Sequence, residues 1–465
     1  MTSSPPSIRQ LADAVRSRER TFVEINDEAI ANRSEDLGAY RHLDDDFVRS
    51  QAKDADDALS AGDDYGVLMG MPVSAKDLYG VPGFPVHAGS PMALPDEFTE
   101  TGPVVKALQL RLAVITGKTH TVEFAFGGLG TNPHLPTPKN PWDAVQHRVP
   151  GGSSSGAGVS LSDGSAILAL GTDTAGSVRI PAAMTGKVGL KTTAKRWSLD
   201  GIVPLSPTLD TAGVLANCVD DVAVAFAAID PVCASLEALD SAFKHADETD
   251  LVLGRCDRLF FDDLSPGVGE AVEVALSEVR DVGATIKPLD LPEVELSYEL
   301  FKRGGPVSIE FHRFLSTRLP EWIETLDPNV RARIGDAANL PEGEYEQRLA
   351  DMAMWASSVD ERLKEVDVLV APTVAITPPT VDEVSTREEY GPRNLLSLRN
   401  TSIANYLGLC AITLPVGLDA AGMPVGLMLV ARGGYDDRLI AIARRIEGVL
   451  GTGHERLGDP PRIKL

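Results

Sequence analysis

Two loops of small residues, separated by one short apolar run, constrain the fold of this chain more than any other feature. The first loop is Pro-Gly-Gly-Ser-Ser-Ser-Gly at 150–156, and the second is Gly-Thr-Asp-Thr-Ala-Gly-Ser-Val-Arg-Ile-Pro at 171–181. Each loop presents a serine, Ser153 and Ser177, and the run 166–170 between them predicts a short buried strand. So many glycines indicate a main chain that is approached closely by other groups. We therefore expect both loops to contribute to one site.

A lysine upstream adds a third candidate. Lys76 follows the apolar segment 67–73 and is expected at the end of a strand, where burial would lower its pKa and leave the amine neutral. Amide hydrolysis needs a nucleophile, a base and donors for the oxyanion. We interpret Ser177 as the nucleophile and Lys76 as the base. In the structural alternative, Ser177 only caps a helix in a tight turn.

The turn that contains Ser177 supplies the expected oxyanion donors. The backbone N–H groups of Thr174, Ala175, Gly176 and Ser177 can point inward and form a nest. The residues after Ser177 could begin a helix, and a helix N-terminus favours negative charge.

These motifs closely resemble the amidase signature family. The matching pieces are Ser-Ala-Lys-Asp at 74–77, Gly-Gly-Ser-Ser-Ser-Gly at 151–156 and Gly-Thr-Asp-Thr-Ala-Gly-Ser-Val-Arg-Ile-Pro-Ala at 171–182. The similarity runs from about 67 to 219 and resumes over 366–447. The resemblance implies an α/β fold, with one large domain whose mixed central sheet is covered by helices on both faces. It also implies a catalytic triad of Ser177, Ser153 and Lys76.

Within that resemblance, Ser153 follows a cis peptide bond and hydrogen-bonds both the nucleophile and the lysine. The remaining candidates are expected to support the site or line the substrate pocket: Ser154, Asp173, Arg179, Gly127, Gly128 and His120. Either Ser154 or Ser155 is expected to extend the proton relay, while the other caps the helix that begins near 156. Asp173 is expected to brace the loop. Arg179 either joins that brace or contacts a polar substrate.

Short strands alternate with helices up to about residue 225, as in layered α/β proteins. Residues 1–63 are expected to form N-terminal helices that pack on the core, and residues 64–460 the amidase signature domain. A variable, substrate-shaping segment is expected at about 226–365.

Local patterns place the individual elements. The predicted elements are helices at 7–33, 42–62, 104–112, 267–282 and 436–449, strands at 113–116, 251–254, 284–290, 411–416 and 425–431, a helical turn at 121–126, longer helices carrying Trp322 and Trp355, and a mobile loop at 381–393.

Composition limits the partners. The formal net charge is −24, from 43 Lys and Arg against 67 Asp and Glu, which disfavours binding to nucleic acid or to an anionic membrane. Four scattered cysteines argue against a zinc site or a disulfide framework and suit the reducing cytoplasm. No signal peptide or membrane-spanning run is apparent. We expect a cytoplasmic enzyme without metal or cofactor that acts on a small amide. In some relatives the N-terminal helices form a homodimer.

Two other functions compete with this prediction. Residues 152–156 match G-x-S-x-G, the nucleophile elbow of α/β-hydrolase esterases, but the polar, proline-ended run 146–150 before them does not resemble the required strand. The chain could also be the glutaminase subunit of a tRNA-dependent amidotransferase, which would need partner chains. Ala175 stands where many relatives have glycine, a feature shared with relatives that act on urea-derived acids. The substrate stays open among aliphatic, aryl and ureido-acid amides.

Overall fold

The computed structural model describes residues 5–463, except 234, 249, 336, 338 and 339. Eleven strands in these residues form one sheet. In chain order the strands are β1 Tyr40–His42, β2 Pro72–Lys76, β3 Val114–Thr119, β4 Leu168–Asp173, β5 Val188–Lys191, β6 Thr211–Ala216, β7 Val252–Arg255, β8 Thr285–Pro288, β9 Val368–Pro372, β10 Cys410–Leu418 and β11 Pro424–Ala431.

The sheet is mixed, as predicted, with the order β1-β3-β2-β4-β6-β5-β10-β11-β9-β7-β8. Strand β2 runs parallel to both β3 and β4, and Ala75 lies opposite Leu170. The pairs β4–β6, β5–β6, β5–β10 and β10–β11 are antiparallel. Because parallel strands end at the same edge of a sheet, the carboxyl ends of β2 and β4 lie side by side.

Sixteen α-helices in the described residues surround this sheet. They are α1 Ile8–Arg16, α2 Phe22–Ala31, α3 Asp45–Ala61, α4 Pro103–Gln109, α5 Ala157–Ser162, α6 Arg179–Thr185, α7 Val219–Ile229, α8 Leu236–Glu248, α9 Val268–Asp281, α10 Glu293–Lys302, α11 Val307–Arg318, α12 Pro328–Ile334, α13 Glu344–Arg362, α14 Arg387–Tyr406, α15 Asp436–Leu450 and α16 Gly453–Leu457. Short 3₁₀ helices include Glu123–Ala125, Pro320–Thr325 and Asp382–Val384.

Alternate residues of the central strands pack against different helices. In β4, Leu168 and Leu170 belong to the hydrophobic cluster that includes α7, α8, α9 and α15. Ala169, which points to the other side of the strand, packs with Ala157 of α5 and Ala182 of α6. Helices therefore cover both faces of the sheet, which confirms the predicted fold.

The N-terminal segment packs on the core, but not as one long helix. Residues 17–21 separate α1 from α2, because Thr21 caps α2 with its side chain and receives a return bond from Glu24. Ser7 caps α1 with its side chain. The segment also contributes a strand that was not predicted, β1, which pairs with β3. A boundary between residues 63 and 64 stays a prediction.

Two further predictions about the second half of the chain are wrong. Trp322 lies in a short 3₁₀ helix rather than a long one, whereas Trp355 lies in the 19-residue α13. The segment 381–393 is not a mobile loop, since α14 begins at Arg387 and continues through Pro392. In the described part of the chain, no helix is long and apolar enough to span a bilayer.

Candidate active site

Lys76 is the last residue of β2 and its side chain is fully buried. Its Nζ lies 2.7 Å from Ser153 Oγ and 2.8 Å from Thr172 Oγ1, the latter on the neighbouring strand β4. Burial lowers the pKa of the amine to about 7, although the negative charges of Asp173 and Asp210 oppose the shift. A large fraction of Lys76 is therefore neutral near neutral pH and able to accept a proton.

The loop that carries Ser153 is held close to the main chain of its neighbours. The peptide bond between Gly152 and Ser153 is cis. A Cβ at Gly152 would meet the backbone nitrogen of Gly130 at 2.7 Å, so only glycine fits there. The Ser153 carbonyl accepts hydrogen bonds from the N–H groups of Val122 and Ser155. These contacts fix Ser153 beside the lysine.

Ser177 follows the turn after β4 and precedes α6, and it lines a cavity to which Lys76 and Ser153 do not contribute. Its carbonyl accepts a hydrogen bond from the Ser154 N–H at 3.3 Å, which joins the two loops. In the described part of the chain no hydrogen bond joins the Ser153 and Ser177 hydroxyls. The Lys76–Ser153 contact is formed, whereas the predicted Ser153–Ser177 contact is not. Catalytic hydrogen bonds are often long before substrate binds.

Three of the four predicted oxyanion donors form no hydrogen bond within the described residues. The N–H groups of Thr174, Ala175 and Ser177 donate to no described residue. Gly176 differs from the expectation, because its N–H donates to Asp173 Oδ1 at 2.8 Å. Gly176 has φ +136°, and a Cβ there would meet Thr401 Oγ1 at 2.1 Å. Ala175 has no positive φ, so its side chain causes no strain.

Asp173 and Arg179 form the brace under this turn. Both side chains are fully buried, and Arg179 donates from Nε and Nη2 to the two oxygens of Asp173 at 3.1 and 2.9 Å. Asn405 of α14 contacts both partners. Burial alone would raise the pKa of the Asp173 carboxyl, but the Arg179 charge and hydrogen bonds hold it at about 2. Arg179 is thus part of the brace and is not exposed to a substrate.

Two functional candidates were missed by the sequence analysis. Thr172 supplies the second contact of Lys76. Asp210 accepts a hydrogen bond from Thr174 Oγ1 at 2.5 Å, and burial raises the pKa of its carboxyl to about 6. Thr172 lies within the Gly-Thr-Asp-Thr motif, and its position at the end of β4, beside β2, was the available signal. Asp210 lies 36 positions beyond Thr174, and the available signal was the segment Leu209-Asp210-Thr211, which also resembles the family.

A cavity of about 400 Å³ opens on Ser177, Thr174 and Ala175. Phe126 and Gly127 form part of its wall, and Gly127 was among the predicted pocket or support residues. Further wall residues come from α10 to α12 and from α14, so the middle segment and the start of α14 both shape it. Among the described residues, no group of three or more His, Cys, Asp or Glu is placed to hold a metal ion.

Besides Asp173 and Arg179, three of the predicted pocket or support residues lie outside this cavity wall. Gly128 is buried and its N–H donates to Asn394 Oδ1 at 2.8 Å. Ser154 Oγ donates a hydrogen bond only to the backbone carbonyl of Thr172, at 3.5 Å. Neither Ser154 nor Ser155 caps α5, whose first turn has no side-chain cap. The predicted cap is therefore wrong.

His120, the third of them, lies in a separate buried cluster with Arg41, His42 and Asp77 rather than at the cavity. Burial, reinforced by the charge of Arg41, lowers the pKa of its imidazole to about 4, so the ring is neutral near neutral pH. Its Nδ1 has no hydrogen-bond partner among the described residues.

Known proteins match this chain over nearly its whole length. The amidase family model matches residues 23–440. The chain is 47% identical over 463 residues to 2-amino-5-chloromuconic acid deaminase of Comamonas testosteroni, covering 99% of both chains. It is 30% identical over 473 residues to a subunit of the glutamyl-tRNA(Gln) amidotransferase of Microcystis aeruginosa, covering 95% of this chain and 97% of that one. A crystal structure of an amidase superposes with a TM-score of 0.84 at 28% identity, covering 96% and 100% of the two chains.

Proposed function

This chain belongs to the amidase family, and from that premise we propose that Ser177, Ser153 and Lys76 form the catalytic triad of an amide hydrolase. Family membership makes the protein a hydrolase of C–N bonds. The observation that carries the triad is the buried contact of 2.7 Å between Lys76 Nζ and Ser153 Oγ. A neutral amine in hydrogen-bond contact with a serine is a base in position.

In the proposed reaction, Ser177 Oγ attacks the amide carbonyl while its proton passes to Ser153, which gives its own proton to Lys76. The free N–H groups of Thr174, Ala175 and Ser177 stabilise the oxyanion. The C–N bond then breaks, and Lys76 returns the proton through Ser153 to the leaving nitrogen. Water attacks the resulting ester by the same route in reverse, which releases the acid and restores Ser177.

A second candidate is the release of ammonia from an amino-substituted carboxylic acid. It is favoured by the 47% identity to an enzyme named as a 2-amino-5-chloromuconic acid deaminase. Both candidates cleave a C–N bond with water and release ammonia, so one assay of ammonia release covers both.

The glutaminase subunit of a tRNA-dependent amidotransferase is the weaker alternative. It is supported by an amidotransferase relative at 30% identity, against 47% for the deaminase. The formal net charge of −24 disfavours binding of tRNA by this chain itself, so such a function would depend on partner chains that hold the RNA.

A cytoplasmic location and a small-molecule substrate complete the proposal. All four cysteines are free, which suits a reducing compartment. A homodimer through the N-terminal helices stays a prediction.

The test is to replace Ser177 with alanine and to measure both turnover and covalent labelling by a fluorophosphonate. We expect the rate of ammonia release to fall by at least about 10⁴-fold and labelling to be lost. Ser155→Ala is the matched control, since the Ser155 hydroxyl is buried in the same region without a partner among the described residues. It should keep both signals. Turnover or labelling that survives in Ser177→Ala would rule out this nucleophile.

A further inference from the structure

The cavity beside Ser177 is lined by positive side chains in a protein that is acidic overall. Four lining residues carry a positive charge, Lys302, Arg303, Arg333 and Arg387, and none of the described lining residues is acidic. The whole chain has 67 Asp and Glu against 43 Lys and Arg. A cleft lined by one sign of charge attracts ligands of the opposite sign.

Three of these four cations have no acidic partner among the residues that the structure describes. Lys302 Nζ lies 2.5 Å from Glu299 Oε1, so much of its charge is neutralised within the protein. Within the described ranges, Arg303, Arg333 and Arg387 form no ion pair. With acidic residues in excess, the absence of an acidic partner at three arginines around one cavity leaves their guanidinium groups available to a ligand. Guanidinium binds carboxylates through two parallel hydrogen bonds.

Contacts with the segment 123–126 hold the part of the cavity wall that contains Arg333 in place. Arg333 Nη1 donates to the Phe126 carbonyl at 3.0 Å, and its guanidinium lies 4.8 Å from the centre of the Phe126 ring. The helix α12 that carries it is anchored by Glu123, whose Oε2 accepts a hydrogen bond from the Asp327 N–H at 2.6 Å. A preorganised cation loses less freedom when a ligand binds.

A buried hydroxyl on the same cavity also lacks a partner. Tyr406 is 2% exposed, lines the cavity, and its hydroxyl forms no hydrogen bond with the described residues. Burial raises the pKa of this phenol, so it remains a neutral O–H donor. The hydroxyl lies against Gly305, where a Cβ would meet it at 1.9 Å. A buried donor without a partner costs free energy, which an acceptor on a ligand would recover.

The rest of the lining is largely apolar and includes Phe301, Val307, Leu395 and Leu398. Such a surface suits a hydrocarbon segment between two polar ends of a ligand. Ser177 is 3% exposed, whereas Arg303 and Arg387 are exposed, so the serine lies deep and the two arginines lie at the mouth.

We propose that the substrate is the mono-amide of a short dicarboxylic acid, whose distal carboxylate binds Arg303 and Arg387 while its amide carbonyl reaches Ser177. The proposal rests on the amide hydrolysis proposed above. Hydrolysis consumes one water and yields ammonia and the dicarboxylate. Arg333 and the Tyr406 hydroxyl are further donors for the oxygen atoms at the two ends of the substrate, since its hydrocarbon segment offers no acceptor. A carboxylate is favoured over a phosphate because the relative at 47% identity is named for a carboxylic acid.

The kinetic test compares matched amides in wild type and variants. Succinamic, glutaramic and adipamic acids are each paired with the neutral amide of equal chain length, butanamide, pentanamide and hexanamide, and ammonia release is measured. For at least one chain length, wild type should prefer the anionic amide in kcat/KM by about tenfold or more. Arg303→Gln and Arg387→Gln should each reduce that preference by about tenfold, mainly through KM, because the carboxylate is bound equally in the ground and transition states.

Arg393→Gln is the matched control. Arg393 is partly exposed on the same helix as Arg387 but does not line the cavity, and it donates only to the Glu389 carbonyl. Its loss removes the same charge from the protein, and the preference should stay within about twofold of wild type because charges away from the cavity are screened by salt.

Binding to the Ser177→Ala protein separates this proposal from the catalytic one. Calorimetry with the same six amides requires no turnover, and the anionic member of at least one pair should bind about tenfold more tightly, with that gain lost in Ser177→Ala/Arg303→Gln. Anionic binding without hydrolysis by wild type would reject the catalytic function and support the carboxylate site. Equal binding of every anionic and neutral pair, or a preference unchanged by Arg303→Gln and Arg387→Gln, would overturn it.

Discussion

The amine nitrogen of Lys76 lies 2.7 Å from the hydroxyl oxygen of Ser153, and both side chains are 0% exposed. Burial disfavours the charged form of the lysine, so the contact pairs a serine hydroxyl with a base that is substantially neutral near pH 7. This contact supports the proposed chemical role of the loop at 150–156, and that proposal predicts how the rate depends on pH.

The rate should depend on pH through Lys76. Its pKa in the folded protein is about 7, and the neutral form is the base, so kcat/KM should rise as pH increases through about 7 and then level off. Lys76→Ala should remove this limb and lower the rate by about 10²- to 10⁴-fold. Steady-state kinetics between pH 5 and pH 9 measure both effects.

The control for Lys76 is a second fully buried lysine. Lys191 donates to the carbonyls of Thr192 and Leu409 and does not contact Ser153. Lys191→Met should reduce stability but keep the rising limb near pH 7. A limb that is unchanged in Lys76→Ala would mean that another group titrates in the rate.

The brace between Asp173 and Arg179 should dominate the local stability of the turn. Breaking a buried ion pair costs about 3–5 kcal/mol, so Arg179→Met should lower the free energy of unfolding by that amount at pH 7. In wild type the Asp173 pKa of about 2 lies below its unfolded value, so its contribution is present above about pH 4 and is lost as pH falls through 2.

In Arg179→Met the pKa shift of Asp173 reverses direction, because a buried carboxyl without a cationic partner has a raised pKa. Protonation at lower pH therefore stabilises the folded variant. The stability difference between wild type and variant should therefore shrink as pH falls from 7 to 4, as urea unfolding at each pH can measure. Arg331→Met is the control, since Arg331 pairs with Glu324 at the surface and such pairs contribute about 1 kcal/mol or less. A difference that grows toward pH 4 would contradict the brace.

Gly176 should tolerate no side chain. A Cβ would meet Thr401 Oγ1 at 2.1 Å, and φ of +136° is unfavourable for other residues. Gly176→Ala should lower stability by about 1–3 kcal/mol and, because it displaces the turn that carries Ser177, activity by about 10²-fold. Thermal unfolding measures the loss of stability, and the rate of ammonia release measures the loss of activity.

Thr401→Ala in the same protein should restore part of that loss, since it removes the clash but not the strained φ. Gly448→Ala is the control, because its Cβ meets nothing within 4 Å in the last turn of α15, and it should be neutral or slightly stabilising. A Gly176→Ala protein with wild-type stability and rate would show that the turn adapts.

The sequence predicted those parts of the fold that follow from local patterns. Residues 168–170 of the apolar run 166–170 do lie in β4, and Lys76 does end β2, because buried strands and their ends have a clear hydrophobic signature. The start of α14 was missed because Gly391 and Pro392 normally interrupt a helix. Its later residues, such as Thr401 and Asn405, are polar yet buried, so the helix lacks the usual amphipathic pattern.

That same helix explains why the site was only partly predictable. Thr401 Oγ1 donates to the Ala175 carbonyl, and Asn405 donates to Asp173, across more than 200 positions of sequence. Motif spacing selected the three residues of the proposed triad but contained no information on these long-range supports. The cations at the cavity mouth come from α10, α12 and α14, which only the tertiary fold brings together.

The hydroxyl of Thr172 should raise the pKa of Lys76. Its Oγ1 lies 2.8 Å from Lys76 Nζ and accepts a hydrogen bond that favours the charged amine more than the neutral one. Thr172→Val keeps the shape of the side chain but removes the acceptor, so the pKa of Lys76 should fall and the rising limb of kcat/KM should move about half a unit to one unit toward lower pH. The maximal rate should also fall, because the amine loses the contact that orients it toward Ser153.

Thr172→Ser retains the hydroxyl and should keep the wild-type pH dependence of kcat/KM. Comparison with Thr172→Val therefore distinguishes an effect of the hydrogen bond from an effect of side-chain packing. Thr192→Val is the matched control, since the Thr192 hydroxyl is also buried and donates to the Ala212 carbonyl, away from the lysine. It should lower stability without moving the limb. A limb that moves toward higher pH in Thr172→Val, or moves equally in Thr192→Val, would show that Thr172 does not set the protonation of Lys76, because loss of an acceptor can only disfavour the ammonium form.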